Sequence, residues 1–373
     1  MAIYLHIPFC KQACHYCDFH FSTSQKNRFE MVEAMCKEIE LQKNYLDNRY
    51  LSSIYLGGGT PSLLTEKELN LIFNTIAKHY TFDKNTEITL EANPDDINIE
   101  QLLMWKNTSI NRLSIGIQTF NDEVLKKINR AHQSIDAKKS IFDAQNEGFE
   151  NITIDLMYAM PLQTNAIFEE DLITALSFDV PHISAYCLTI EEKTSFGKWV
   201  KNKKMMPISE EIAAEQYEIL IKTLKNNDYE QYEISNFAKN KQYAKHNKNY
   251  WKQGKYLGIG ASAHSYNGVS RQFNIANNIL YIKKIQENKI PFTIETLSEN
   301  DHINEYLLTG LRTIWGVDLS TIKTEKNINF LEKQHFIIEK YKENECLWIE
   351  NNTIFLTEKG KIIADKITSD LFL

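Results

Sequence analysis

The chain has no apolar run approaching the ~18–20 residues that a membrane-spanning helix needs, which excludes an integral helical membrane protein. It also has no surplus of positive charge. Its 373 residues carry 42 Lys and Arg against 49 Asp and Glu, a formal net charge of −7, with a pI near 5.9. That excludes nucleic-acid binding through a general basic field. The first strand-like residues begin almost at the initiator Met with no secretory leader ahead of them, so a cytoplasmic protein is expected. Cysteine is sparse and unevenly spread. Cys36, Cys187 and Cys346 are scattered and read as small buried hydrophobes. Cys10, Cys14 and Cys17 crowd into eight positions with no fourth cysteine beside them. Disulfides are not expected in a reducing compartment, so these three need another explanation.

What is present is an ordinary globular composition, 43 % hydrophobic and 24 % charged, on a chain long enough for more than one domain. Apolar runs at Ile3–Ile7, Ser53–Leu56, Glu87–Glu91, Arg112–Gln118, Asn151–Met157 and His182–Leu188 read as strands. Between them, helical patterns cover Arg28–Lys43, Glu66–His79, Ile99–Lys106, Ile135–Glu147 and Ala166–Ser177, with Thr65, Asn98 and Ser134 as N-caps. Repeated strand–helix order predicts βαβ units on a parallel sheet. Periodicity alone leaves a doubly wound sheet and an incomplete barrel both open.

Residues 1–200 form this repeating core. The segment Glu191–Pro207, basic at Lys198, Lys201, Lys203 and Lys204, reads as a connection, and a helix follows at Ser209–Lys225. Residues 201–300 form a helical and aromatic extension. Residues 301–373 carry helical patterns at Asp301–Thr313, Leu319–Ile322 and Ile328–Gln334. Two short alternating runs, Cys346–Glu350 and Thr353–Leu356, and a helix from Glu358 complete them. That order resembles a winged-helix module. Without a basic face, it is expected to serve structure or interaction rather than DNA reading.

Cys10-x3-Cys14-x2-Cys17 directly follows the first strand, and a loop of that length can turn three thiolates onto one site. Thiolate suits zinc and iron–sulfur clusters. A structural zinc would want a fourth ligand, for which His15 and His20 are at hand. A cubane cluster held by three cysteines would keep one iron open for a substrate or cofactor. Polar motifs then recur at the ends of successive strands: Gly57-Gly58-Gly59-Thr60-Pro61, Glu91-Ala92-Asn93-Pro94, Gly116-Ile117-Gln118, Asn129-Arg130-Ala131-His132 and Asp155-Leu156-Met157-Tyr158. Such placement fits the active-site face of a (β/α) barrel.

CxxxCxxC after a first strand, with Tyr16 before the third cysteine and a glycine run after the second strand, resembles the radical SAM superfamily. Together the motifs resemble its coproporphyrinogen III oxidase-like branch along essentially the whole chain. The fold implied is α/β, a partial (β/α)6 barrel followed by a small C-terminal α+β winged-helix-like domain. The resemblance implies a [4Fe–4S] cluster on Cys10, Cys14 and Cys17. It also implies S-adenosylmethionine (SAM) on the open iron, positioned by Tyr4, Tyr16, Gly58, Gly59, Thr60, Glu91, Gln118, Arg130 and Asp155. Reduction of such a cluster cleaves SAM to methionine and a 5′-deoxyadenosyl radical, chemistry that belongs to the cofactor. Whether this chain uses that radical on a substrate is left open, and no residue is singled out as catalytic.

Within the branch, two types compete: the oxygen-independent coproporphyrinogen dehydrogenases of heme synthesis, and the heme-binding HemW type, which hands heme to clients. The dehydrogenase pattern has a further cysteine two positions after the third, where this chain has Phe19, and a substantial extension before the cluster loop. His246-Asn247-Lys248-Asn249-Tyr250-Trp251 matches the HNxxYW signature of the heme-binding members. A neutral imidazole is a common axial ligand to heme iron, and flat aromatic rings can flank a porphyrin. From the residues alone, the favoured reading is that His246 caps a turn while the aromatics fill a core. The reading the resemblance implies is a heme chaperone with heme bound at His246, Asn247, Tyr250 and Trp251. The partners it implies are heme, client hemoproteins and an electron donor for the cluster, with no nucleic acid and at most peripheral membrane contact. An oligomer is compatible with the sequence.

Overall fold

The computed structural model describes residues 1–207, 209–326 and 328–373. Six parallel strands form its centre: β1 (Ala2–Ile7), β2 (Ser53–Gly58), β3 (Glu87–Ala92), β4 (Arg112–Gln118), β5 (Ile152–Tyr158) and β6 (His182–Cys187). Each expected strand is present. The strands lie side by side in chain order, 1-2-3-4-5-6. A doubly wound sheet reverses its order at a switch point; this one never does. Right-handed crossovers then place successive helices on the same face and curl the sheet into a partial barrel. The barrel stays open, because β1 pairs on its other side with a late strand rather than with β6.

The connecting helices match expectation within a residue or two, and their starts have physical causes. Thr65 and Glu68 form a reciprocal capping box at Glu66–His79, and Asn98 accepts from the Gln101 N–H. Ser134 is not a cap. Gln133 occupies that position, boxed with Asp136, and Ser134 opens the helix. The segment expected as a bare connection also differs: Ser195–Lys201 is helical, capped by Thr194, and buries Phe196 against Val124, Ile128 and Leu188.

Residues 201–300 add strands to the same sheet. β7 (Glu230–Glu233) and β8 (Asn236–Ala238) extend it beyond β6. β9 (Tyr256–Ile259), β10 (His264–Tyr266), β11 (Ser270–Asn274) and β12 (Phe292–Thr296) extend it beyond β1, making twelve strands in all. The core runs under the sheet from Ile3, Leu5 and Ile7 through Ile54, Leu90, Ile115 and Ile154 to Ile183. A second core, around Leu307, Val317, Phe330, Ile354 and Ile367, belongs to the C-terminal module. There helices surround a three-stranded antiparallel sheet of β13 (Val317–Asp318), β14 (Leu347–Glu350) and β15 (Thr353–Leu356). No described helix is long and apolar enough to cross a membrane.

Candidate functional site

Two cavities lie side by side, the first at the C-terminal ends of the parallel strands. One, of about 520 Å3, is lined by Cys10, Cys14, Cys17, Tyr16, Gly58, Gly59, Thr60, Glu91, Gln118, Arg130 and Asp155. The cysteine loop leaves β1 and closes on itself through Cys10 N–H to Ser22 O (3.0 Å) and Ser22 N–H to Pro8 O (2.9 Å). Arg130 points into the loop: Nη1 lies 3.7 Å from Cys14 Sγ, and Nη2 donates to Asn93 Oδ1 (2.8 Å) and Gly116 O (2.5 Å). Its buried Nε has no hydrogen-bond partner among the described residues. Burial pushes the Cys17 thiol up to about 11.

Neither proposed fourth zinc ligand reaches this loop's cavity. His15 Nδ1 bonds Lys127 O (3.1 Å) and its ring packs edge-on against Trp199 at 4.7 Å. His20 Nε2 bonds Asn278 Oδ1 (2.7 Å). Among the described residues, no group of three or more His, Cys, Asp or Glu side chains is arranged around a single metal ion. The donor set, three thiols beside a cavity with an arginine aimed at them, fits a cluster with one open iron and a polar ligand next to it.

The cavity walls carry the polar groups such a ligand would meet. Glu91 accepts from the Tyr55 hydroxyl (2.7 Å) and from Gly58 N–H (3.1 Å). Burial lifts its carboxyl to about 7, with the nearby Asp155 charge adding to the rise. Burial likewise lifts Asp155 to about 6, against the hydrogen bond from Ser114. Gly58 adopts φ +101°, and a Cβ there would lie 2.5 Å from the His6 ring. Gln118 is held at φ 67° where β4 slips register against β5; such strain in a non-glycine residue is frequent at ligand sites. Tyr4, expected here, is placed elsewhere. Its hydroxyl bonds His6 Nδ1 (3.1 Å), and it lines the neighbouring cavity. Sequence reading passed over Tyr55 and Ser114, which sit at inward positions of β2 and β4. Their polar character within apolar strands was the available signal.

The second cavity measures about 640 Å3, within the ~300–1,000 Å3 range of small-molecule sites. Its walls include Tyr4, Tyr55, His246, Tyr250, Trp251 and Tyr256, with Arg271 and Arg312 also on the lining. His246, Asn247, Tyr250 and Trp251 come from one short helix, Lys245–Trp251. The His246 ring lies 4.8 Å from Tyr55, and its Nδ1 is 3.1 Å from Ser53 Oγ. Burial holds the imidazole down to about 3, and the Arg112 charge adds to it, so the ring is neutral at physiological pH. Asn247 bonds Asn236 Oδ1 at 3.2 Å. Trp251 meets Tyr250 edge-on at 5.1 Å and lies beneath the Arg312 guanidinium at 5.3 Å. Tyr55, Tyr186, Asn247, Asp18 and Phe19 line both cavities, so the two share a wall.

Residues 4–174 match the Radical SAM superfamily, and residues 297–363 match the HemN C-terminal domain. Among solved structures, the chain superposes with a TM-score of 0.87 on the one described as "Coproporphyrinogen III oxidase (HemN) from Escherichia coli is a Radical SAM enzyme". All of this chain and 89 % of that one are covered, at 22 % identity, a likeness of fold. Fold and cysteine loop together define a radical SAM protein, a class whose cofactors are a [4Fe–4S] cluster and SAM. The heme chaperone HemW of Bacillus subtilis (strain 168) is 36 % identical, over 98 % of this chain and 97 % of its own length. That of Lactococcus lactis subsp. lactis (strain IL1403) is 32 % identical, over 99 % and 97 %. The chain belongs to the HemW family.

Proposed function

We propose that this chain is a heme chaperone that takes heme as cargo in the 640 Å3 cavity, with His246 as axial ligand, beside a separate cluster and SAM site. The observation that carries this reading is the presentation of His246. A neutral imidazole, fixed through Nδ1 to Ser53, stands on the wall of a cavity flanked by Tyr4, Tyr55, Tyr250 and Trp251. Iron needs the lone pair of one ring nitrogen while the other is held. Flat aromatic walls exclude water from a macrocycle and cost little entropy to order.

In the same reading, Cys10, Cys14 and Cys17 hold the cluster. Arg130 lies against Cys14, and Gly58, Gly59, Thr60, Gln118, Glu91 and Asp155 bind SAM. Tyr16 lines the same cavity, its hydroxyl hydrogen-bonded to Cys14. When bound, cluster and SAM supply one-electron reductive chemistry. The residues orient SAM through the carboxylates of Glu91 and Asp155, which attract its cationic groups. Phe19, where the dehydrogenase pattern carries cysteine, lines both cavities with an apolar ring, which favours the chaperone over the decarboxylase. Client hemoproteins and an electron donor complete the proposed set of partners. Membrane contact, if the lysines at 198–204 provide any, is peripheral.

The test is a heme titration of the cluster-reconstituted protein under reducing conditions. A saturable 1:1 Soret change that His246→Ala abolishes, with no carbon dioxide released from coproporphyrinogen III, is expected. Failure to retain heme, or decarboxylation of that substrate, overturns the reading.

A further inference from the structure

Nothing in the helix that carries His246 is long enough to fix its own direction. It has seven residues, and Ala244 at its N-cap offers no side-chain acceptor. Isolated helices shorter than ~12–15 residues are marginal, and the first backbone N–H groups of any helix lack intrahelical partners. Orientation here must come from outside. It comes from two buried residues that lie far from the motif in sequence and opposite each other in the sheet.

Ser53 opens β2 and Glu87 opens β3, and the two are register partners across that parallel pair. Glu87 accepts two hydrogen bonds from the helix start, Lys245 N–H to Oε2 (2.9 Å) and His246 N–H to Oε1 (3.0 Å). Ser53 Oγ meets the ring of the same histidine at Nδ1. Ser53 and Glu87 are 0 % and 5 % exposed. A buried carboxylate needs compensation, and Arg112 on β4 supplies it: Nε lies 3.9 Å from Glu87 Oε2. The Arg112 fork is tied in turn to Thr89 and Thr153. Ser53 Oγ has no other hydrogen-bond partner among the described residues, and His246 Nε2 has none. The arrangement that leaves Nε2 with a free lone pair has Nδ1–H donating to Ser53.

We propose that Ser53 and Glu87 are positioning residues for the iron ligand, a two-point clamp in which Glu87 sets where the His246 backbone stands and Ser53 sets which ring nitrogen faces the cavity. The proposal rests on the reading of His246 as heme ligand. Outer partners of ligating histidines fix the tautomer and orientation of the ring, and their loss typically costs about 10–100-fold in affinity. Ser53→Ala removes the acceptor and leaves the backbone untouched; Ser53→Thr restores a hydroxyl on the same strand. Glu87→Gln keeps one acceptor oxygen but turns an amide N–H toward the helix start.

The experiment is heme titration of full-length wild type, H246A, S53A, S53T and E87Q. Iron content of the reconstituted cluster is measured alongside, and resonance Raman of the ferrous complex follows the iron–histidine stretch. Expected are a fall of about 10–100-fold in affinity for S53A, a shifted iron–histidine band, recovery of both in S53T, and unchanged cluster iron. E87Q is expected to weaken heme binding as well; should it fail to fold, the S53A and S53T pair decides alone. Wild-type affinity and an unshifted band in S53A overturn the clamp. Wild-type binding by H246A overturns the underlying reading instead.

Discussion

The Tyr55 hydroxyl donates to Glu91 at 2.7 Å while the same ring lies 4.8 Å from His246, so one side chain touches both cavities. Tyr55→Phe separates these two roles. The ring and its packing against His246 remain, but buried Glu91 loses a donor, which raises its carboxyl further and favours the neutral acid. Heme affinity is expected to stay within about twofold, and SAM affinity at pH 7 to fall by about 5–10-fold, on the order of 1 kcal/mol for one hydrogen bond. Equilibrium dialysis of SAM and a Soret titration on the same variant check it.

Glu91 and Asp155, lifted by burial to about 7 and about 6, make SAM binding depend on pH. Their charged forms attract the cationic ligand, so affinity is expected to rise as pH rises from 6 to 8 and to level off above that. Binding below pH 7 should take place with release of protons to the buffer. Calorimetry in two buffers of different ionisation enthalpy measures that release. A flat profile across pH 6–8 contradicts the assignment of Glu91.

Gly58→Ala places a Cβ 2.5 Å from the His6 ring in a backbone conformation of φ +101°. Both strain and clash act against it, and the His6 ring, bonded to Tyr4 and to His20 O, has little room to yield. A loss of roughly 1–3 kcal/mol in stability is expected, together with weakened SAM binding. Chemical denaturation and the dialysis assay read the two effects separately.

Cys17→Ser and His246→Ala address different cavities. The first is expected to lower iron in the reconstituted protein and spare heme binding; the second, the reverse. Iron analysis and heme titration on both variants check this. Loss of heme in both would mean that the cluster supports the shared wall at Phe19, Tyr55 and Tyr186.

The parallel strands and their helices were legible because apolar residues recur along each strand, as at Ile54 and Leu56 or Ile152 and Ile154, and helix starts carry their own chemistry, as at Thr65 and Asn98. The misplaced cap at Ser134 was a contest between neighbours that Asp136 decides for Gln133. β7 to β12 were not legible as strands. Runs such as Ser270–Asn274 are rich in polar residues that become buried against a sheet no local pattern announces. The cysteine loop could be read, because its ligands are close in sequence. The resemblance placed Tyr4 among the SAM-positioning residues, yet its side chain bonds His6 and lines the other cavity. Ser53 and Glu87 could not be read at all. Each is an ordinary polar strand start, and only the register of β2 with β3 brings them together under His246, 193 positions after Ser53 and 159 after Glu87.

The pairing of β1 with β9 has a consequence for synthesis. Ala2–Leu5 lie in the middle of the sheet, but one flank finds its neighbour only when Tyr256–Ile259 have been made. At ~5–20 residues per second, that flank stays bare for roughly 10–50 s. The three thiols that follow β1 therefore sit on a loop whose supporting strand lacks one neighbour until a segment some 250 residues further along has been made.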